Sequence, residues 1–266
     1  MATLVCFHAH PDDEAIATGG VMAKAAAEGH RVVLVVATRG EVGEVAPGFL
    51  APGEQLWERR VAEVTTAASI LGVERLEFLG YRDSGMVDTP DNDHPSSFWQ
   101  AEIEDAAGKL AAILEEEHAD ALTVYDDFGV YGHPDHIQVH RVGVRAAELA
   151  GTPRVYEATM DQDEMRSRLQ EALRERTNPE MVEMAEGMMA DGGPHLGVPA
   201  ARITTRVDVS AFVGRKRDAL AAHASQVPAD SWWLTSPEEM FAQMFGMEYF
   251  IRRGAVSGTT EHGLGL

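Results

Sequence analysis

The chain has 266 residues, of which 45% are hydrophobic, and a formal net charge of −21. That composition supports a sizeable core and excludes wholesale disorder. The charge excludes phosphate-backbone binding, which needs clustered Lys and Arg, so no nucleic-acid partner is expected. A single cysteine, Cys6, excludes an intramolecular disulfide and a Cys-based zinc framework.

No cationic N-terminal segment leads into a long apolar run, and no window reaches the ~20 apolar residues of a membrane span. A cytoplasmic location is expected. In chain order, short apolar stretches at 3–7, 31–37, 75–80 and 120–125 read as strands. Helix-length stretches at 15–28, 55–71 and 98–117 separate them. The second of these carries an apolar stripe, Val61, Val64, Ala68 and Leu71, and stops at Gly72. A further helix over 134–150 opens on Pro134, which suits a first turn. Strand–helix alternation predicts an α/β fold: a mostly parallel sheet with helices on both faces. Cys6 falls in the first strand and is expected to be buried and inert.

Loops at 39–54, 81–96 and 126–133 each follow a strand and should gather at one sheet edge. Farther on, 153–158 reads as a strand, and Asp161 to Met189 as charged, helical and Met-rich. Met160, Met165, Met181, Met184, Met188 and Met189 read as core filler rather than a pocket wall. Residues 191–199 form a loop, 202–208 a strand, 211–223 a helix and 247–252 a last strand. The expected organisation is a catalytic core at 1–160, a smaller C-terminal part at 161–254 completing the pocket within the same domain, and a flexible tail at 255–266. Nothing in the sequence fixes an oligomeric state.

Two motifs carry chemistry. Ala9-His10-Pro11-Asp12-Asp13-Glu14 sits between the first strand and the first helix. Ligands commonly bind at such carboxyl ends of strands. Gly132-His133-Pro134-Asp135-His136 opens the helix at 134–150, where a spacing of three puts His133 and His136 on one face. Two His and one carboxylate suffice for a catalytic zinc with an open position. Either motif alone also reads as a charged helix start stabilised by the helix dipole. Two such motifs at two strand ends favour a metal site.

The same donor set describes the facial triad of non-haem iron proteins, and zinc and ferrous iron share these ligands. Asp12, a spare carboxylate beside Asp13, favours hydrolysis, which needs an extra base. His140 reads as solvent-facing or as support behind the ligands, and His8 has no assigned role. Arg60 alone reads as a helix-surface charge, Asp83 as a turn cap, and His223 as a surface or dipole-facing side chain. A nucleotide-binding protein would need a Gly-rich turn directly after the first strand, whereas Thr18-Gly19-Gly20 falls within the helical stretch.

The paired motifs resemble those of the PIG-L or LmbE-like zinc-dependent N-deacetylases, most closely the mycothiol-pathway members. The closer likeness rests on Gly-Glu-Val-Gly-Glu-Val at 40–45, Arg60 with Glu63, Arg-Asp-Ser-Gly-Met at 82–86, Tyr131, and His-Ala-Ser-Gln-Val at 223–227. The resemblance implies a Rossmann-like fold, zinc held by His10, Asp13 and His136, and Asp12 as general base. It implies that His133 stabilises the oxyanion or acts as acid, oriented by Asp135, and that Tyr131 polarises the substrate carbonyl. Arg60 and Asp83 would bind sugar hydroxyls, and Glu44 would line the pocket. The implied substrate is a small N-acylated sugar of the N-acetylglucosamine type. The alternative is an amidase that cuts a mycothiol-like thiol conjugate.

Overall fold

Residues Thr3–His8 form β1, in which every position after Thr3 is buried. Its alternate side chains feed two cores, Leu4 and Cys6 on one face of the sheet and Val5 and Phe7 on the other. A strand covered on both faces reads as a continuous apolar run. Arg31–Thr38 (β2) repeats that pattern, with Val32, Leu34 and Val36 facing one core and Val33, Val35 and Ala37 the other. This computed structural model describes residues 1–175, 182, 186, 187, 196–256 and 258–266. The expectations for Met181, Met184, Met188, Met189 and most of the loop at 191–199 lie outside the described residues.

The remaining strands are β3 (Arg75–Tyr81), β4 (Ala121–Tyr125), β5 (Val155–Thr159), β6 (Thr205–Asp208) and β7 (Met247–Arg252). They form one seven-stranded sheet in the order β3-β2-β1-β4-β5-β7-β6. β1 to β5 run parallel, while β7 is antiparallel to both β5 and β6. The chain therefore winds one way from β1 to β3 and the other way from β4. The crevice beyond the carboxyl ends of β1 and β4 is the topological switch point, where open α/β sheets bind ligands.

One face is covered by α1 (Asp13–Ala17), α2 (Gly19–Ala27) and α3 (Leu56–Leu71). The other is covered by α4 (Ile103–Glu116) and, beyond the short turn α5 (Gly129–Gly132), by α6 (Pro134–Ala150). Gly143 lets α6 lie close to β4, since a Cβ there would meet Val124 Cγ1 at 2.3 Å. The C-terminal half adds α7 (Gln162–Glu175), α8 (Val213–Ala222), α9 (Trp232–Thr235) and α10 (Glu238–Phe245). Ala219 and Leu220 of α8 join the core beneath α2 and α3. No helix among the described residues is long and apolar enough to cross a membrane.

Several elements differ from expectation. The helix expected at 15–28 breaks at Thr18, whose backbone leaves the helical region (φ −138°) while its hydroxyl meets His8 Nε2 at 2.7 Å. The helix expected at 98–117 starts only at Ile103, because Phe98 forms a separate turn anchored edge-on against Phe7. The strand expected at 202–208 is shortened to Thr205–Asp208 by a helical turn at Ala200–Arg202. The tail expected to be flexible folds back: Glu261 pairs with Thr205, its carboxylate accepts from Arg252 at 2.8 Å, and Leu264 is buried.

Candidate metal centre and active site

The turn after β1 brings His10 and Asp13 together. Asp13 accepts the His10 backbone N–H at 2.8 Å, and its carboxylate lies 3.3 Å from His10 Nδ1. Its other oxygen lies 3.3 Å from His136 Nε2 on α6. One carboxylate thus bridges two imidazoles that are 126 positions apart in sequence (136 − 10). Two donors bonded to one tetrahedral zinc at roughly 2.0–2.1 Å are about 3.3 Å apart, so this spacing fits a shared divalent ion.

Ring nitrogens of His10, His133 and His136 all converge within 4.8 Å. His136 is 2% exposed, stacks on Tyr125 with ring centroids 4.2 Å apart, and leaves its buried Nδ1 without a partner. A second convergent group, His10 with Asp83 and Asp135, shares only His10. The Asp135 carboxylate accepts both the N–H and the hydroxyl of Ser84, and Asp83 accepts the Gly85 N–H. The Asp135 carboxylate is therefore already engaged on both oxygens, and its chemistry suits support for His10.

Three expected roles change in detail. The contact between Asp135 and His133 is made by the Asp135 backbone N–H, which donates to His133 Nδ1 at 3.0 Å. Its carboxylate instead meets His10 Nε2 at 3.1 Å. Such a carboxylate behind an imidazole fixes the tautomer of a metal ligand. Because His133 Nδ1 accepts, a neutral His133 carries its proton on Nε2. Burial, together with His10 and His136, pushes His133 down to about 3, so the neutral form prevails.

Arg60 is turned inward. It is 3% exposed, donating to the carbonyls of Pro11 (2.6 Å) and Gly40 (3.1 Å), with Nη2 3.2 Å from the Asp12 carboxylate. The loop at 40–45 lies against this guanidinium. A Cβ at Gly40 would stand 2.2 Å from Arg60 Nη1 and one at Gly43 2.5 Å, which accounts for both glycines. His223, expected at the surface or facing the helix dipole, is fully buried against Glu14.

Asp12 keeps 22% of its side chain open to solvent, and its backbone is in a conformation that L residues rarely adopt (φ 119°). Burial pushes its carboxyl up to about 6, opposed by Arg60 and reinforced by Asp13. The residual opening moderates that push. Asp13 behaves oppositely: burial favours its neutral form, but His136 and His10 outweigh this and hold it well below the usual carboxylate range. Two adjacent carboxylates with divergent proton affinities are a recognised acid–base arrangement.

The other residues frame this centre. The turn after β4 holds Val130 at φ 66°, with the Asp126 carboxylate accepting the N–H groups of Phe128 and Val130. Tyr131 leaves 38% of its surface exposed while its hydroxyl turns in to 3.4 Å from His136 Nε2. Asp83 lies 3.5 Å from His10 Nε2 and is 4% exposed. Glu44 lines a cavity of about 490 Å³ with Phe49, Gln226 and Pro228. His140 Nδ1 donates to the Tyr125 carbonyl at 2.9 Å, behind the ring that stacks on His136. His8 is buried between Tyr125 and Thr18.

A switch-point crevice with paired His-Pro-Asp turns, convergent donors and a second acid beside them is a candidate site for metal-assisted hydrolysis. The family model PIG-L, described as GlcNAc-PI de-N-acetylase, matches residues 5–147, and the chain belongs to that family. It is 42% identical, over 93% of its length and 91% of the relative's, to a 1D-myo-inositol 2-acetamido-2-deoxy-alpha-D-glucopyranoside deacetylase of Thermobifida fusca (strain YX). It is 40% identical, over 94% of its length and 88% of the relative's, to an enzyme of the same name from Acidothermus cellulolyticus.

Among solved structures, N,N'-diacetylchitobiose deacetylase from Pyrococcus horikoshii matches with a TM-score of 0.59 and 23% identity, over 94% of this chain and 83% of that one. GalB, the 4-carboxy-2-hydroxymuconate hydratase of Pseudomonas putida KT2440, also scores 0.59, at 17% identity over 98% of this chain and 99% of that one. A hydratase on the same fold means that architecture alone does not decide the reaction.

Proposed function

We propose that this enzyme removes the N-acetyl group from an N-acetylglucosamine-type sugar joined to a polar aglycone such as inositol, with zinc as its metal. The observation that carries the proposal is the Asp13 carboxylate, 3.3 Å from both His10 and His136, with Asp12 turned away to Arg60. The curated relatives support the sugar, since their names specify an acetamido-glucopyranoside of inositol. His10, Asp13 and His136 would hold the ion. When bound, such an ion polarises a carbonyl and makes water nucleophilic near neutral pH.

The chain's own groups do the rest. Asp12, beside the donor set and held by Arg60, takes the proton from the attacking water and passes it to the departing amine. His133 Nε2–H and the Tyr131 hydroxyl donate to the oxygen on which charge develops, each worth roughly 3–4 kcal/mol when preorganised. Asp135 keeps the His133 tautomer through its N–H and steadies His10 through its carboxylate. Asp83 is the residue we assign to a sugar hydroxyl. Arg60 holds Asp12 rather than the sugar. Glu44, Gln226, Pro228 and Ala229 border the space we assign to the aglycone, which supports reading the C-terminal part as completing the pocket.

The test is acetate release from glucosaminyl-inositol carrying an N-acetyl group, run beside a mycothiol-like thiol conjugate as alternative substrate. Preference for the acetylated sugar by kcat/KM supports the proposal. Cleavage of the conjugate alone would replace it with the amidase reading. Reconstitution with zinc and with ferrous iron, compared by turnover per bound ion, decides the metal.

A further inference from the structure

We propose that the segment His223-Ala224-Ser225-Gln226 is a clamp that positions Asp12, with His223 acting through Glu14. The inference rests on the reading of Asp12 as the base. Asp12 sits in a strained backbone state, and such states persist only where the surroundings over-determine them. Glu14 supplies one restraint: its Oε2 accepts the Asp12 N–H at 2.9 Å. Its other oxygen, Oε1, meets His223 Nε2 at 2.6 Å. Both Glu14 and His223 are completely buried. The Glu14 carboxylate therefore has one oxygen on the main chain of Asp12 and the other fixed by the residue that follows α8.

The same segment restrains Asp12 from its side-chain end. The Ser225 N–H and hydroxyl donate to the two oxygens of Glu63 at 2.9 and 2.7 Å. Glu63 lies on α3, three residues beyond Arg60, whose guanidinium stands 3.2 Å from the Asp12 carboxylate. Gln226 Nε2 donates to the Glu44 carbonyl at 3.2 Å, tying down the loop that lies over Arg60. The segment is itself a closed turn, since the N–H groups of Gln226 and Val227 both donate to the His223 carbonyl. Three polar side chains from one four-residue stretch thus reach a helix start, a second helix and a loop, all of which converge on Asp12. Apolar residues would fill the same space without desolvating a carboxylate–imidazole pair, so packing alone does not explain these residues.

The experiment compares wild type with His223→Gln, His223→Leu and Asp12→Asn, each loaded with one zinc per chain. Gln carries an amide N–H close to where Nε2 stands and Leu carries no donor. His223→Leu is expected to lose on the order of 10²-fold in kcat, the scale of a 1 Å misplacement, with little change in KM or zinc content. His223→Gln should recover most of that loss. Hydrogen exchange in the peptide covering 9–16 should speed up in His223→Leu and not in the central strands. A zinc-loaded His223→Leu with wild-type kcat, or with exchange raised uniformly across the core, overturns the clamp. Should His223→Leu fail to fold, His223→Asn gives the same contrast, because its amide is too short to reach Glu14. Equal kcat for Asn and Gln then overturns it. Asp12→Asn separates the two claims. If it is inactive while His223→Leu is fully active, the clamp fails alone. If it is active, the base assignment fails.

Discussion

At the amino ends of β2 and β3 the charges lie near the surface. Glu117, after α4, is gripped by Arg31 and Arg75, and both guanidiniums remain about a quarter to a third exposed. At the carboxyl ends of β1 and β4 the charges are largely buried. His10, Asp13, Asp83, Asp135 and His136 share a few ångströms, with no Lys or Arg in direct contact with the cluster among the contacts described. The first arrangement stabilises the fold modestly. The second assembles like charges and polar groups at a desolvation cost, which is the expected signature of a functional site. A third case, Glu248 with Lys216, is buried but remote from the site: Glu248 accepts the N–H groups of Gly20 and Val21 at 2.8 Å each, and Lys216 Nζ stands 2.6 Å away.

Four substitutions are set to break or sharpen this comparison. His136→Ala should have the largest effect, losing bound metal and activity together, as read by elemental analysis beside acetate release. Chelation of the wild type should have the same effect on turnover and be reversed by added metal. Asp12→Asn should keep the metal and lose about 10²–10⁴-fold in kcat, the span of positioned acid–base catalysis. Normal kcat there would leave the buried acid without a role.

Glu248→Ala should act on stability instead. It strands a buried ammonium and two helix N–H groups, so a loss of about 3–5 kcal/mol is expected in urea unfolding, with kcat of the folded fraction unchanged. Glu117→Gln should cost least. The Arg31 guanidinium, with burial opposing and Arg75 adding, holds Glu117 down to about 2. The folded value lies below the unfolded one, so its contribution is full above about pH 4.5 and is lost as pH falls through about 2. Solvent at the two guanidiniums screens the pair, and a loss of about 1 kcal/mol is expected at pH 7. The wild-type stability curve should fall more steeply than that of Glu117→Gln between those pH values.

The sheet core was legible because β1 and β2 are unbroken apolar runs, and the centre because each half lies in a short, local motif. His10 with Asp13, and His133 with His136, need only a turn of known geometry to face the same way. What escaped depends on long-range partners. Arg60 reads as a surface charge on α3 until Gly40 and Gly43 are seen to lie flat over it. His223 is 209 positions from Glu14 (223 − 14), and no local pattern announces that pairing. The break at Thr18 likewise depends on His8, a partner on another element. Helix α10 follows Pro237 in a stretch for which the sequence reading names no element; Phe241 anchors it in the core, with Ala242 and Phe245 packed beside it. The folded-back tail depends on Thr205 and Arg252, contacts that a Gly-rich composition hides.

The most direct test of two remote motifs converging on one ion is a crystal of the zinc-loaded enzyme, with anomalous differences measured across the zinc edge. A single peak within bonding distance of His10, Asp13 and His136, with the Asp12 carboxylate unligated and still against Arg60, is the result expected. A peak held by Asp12, or one centred between Asp83 and Asp135 with His136 out of reach, would contradict it.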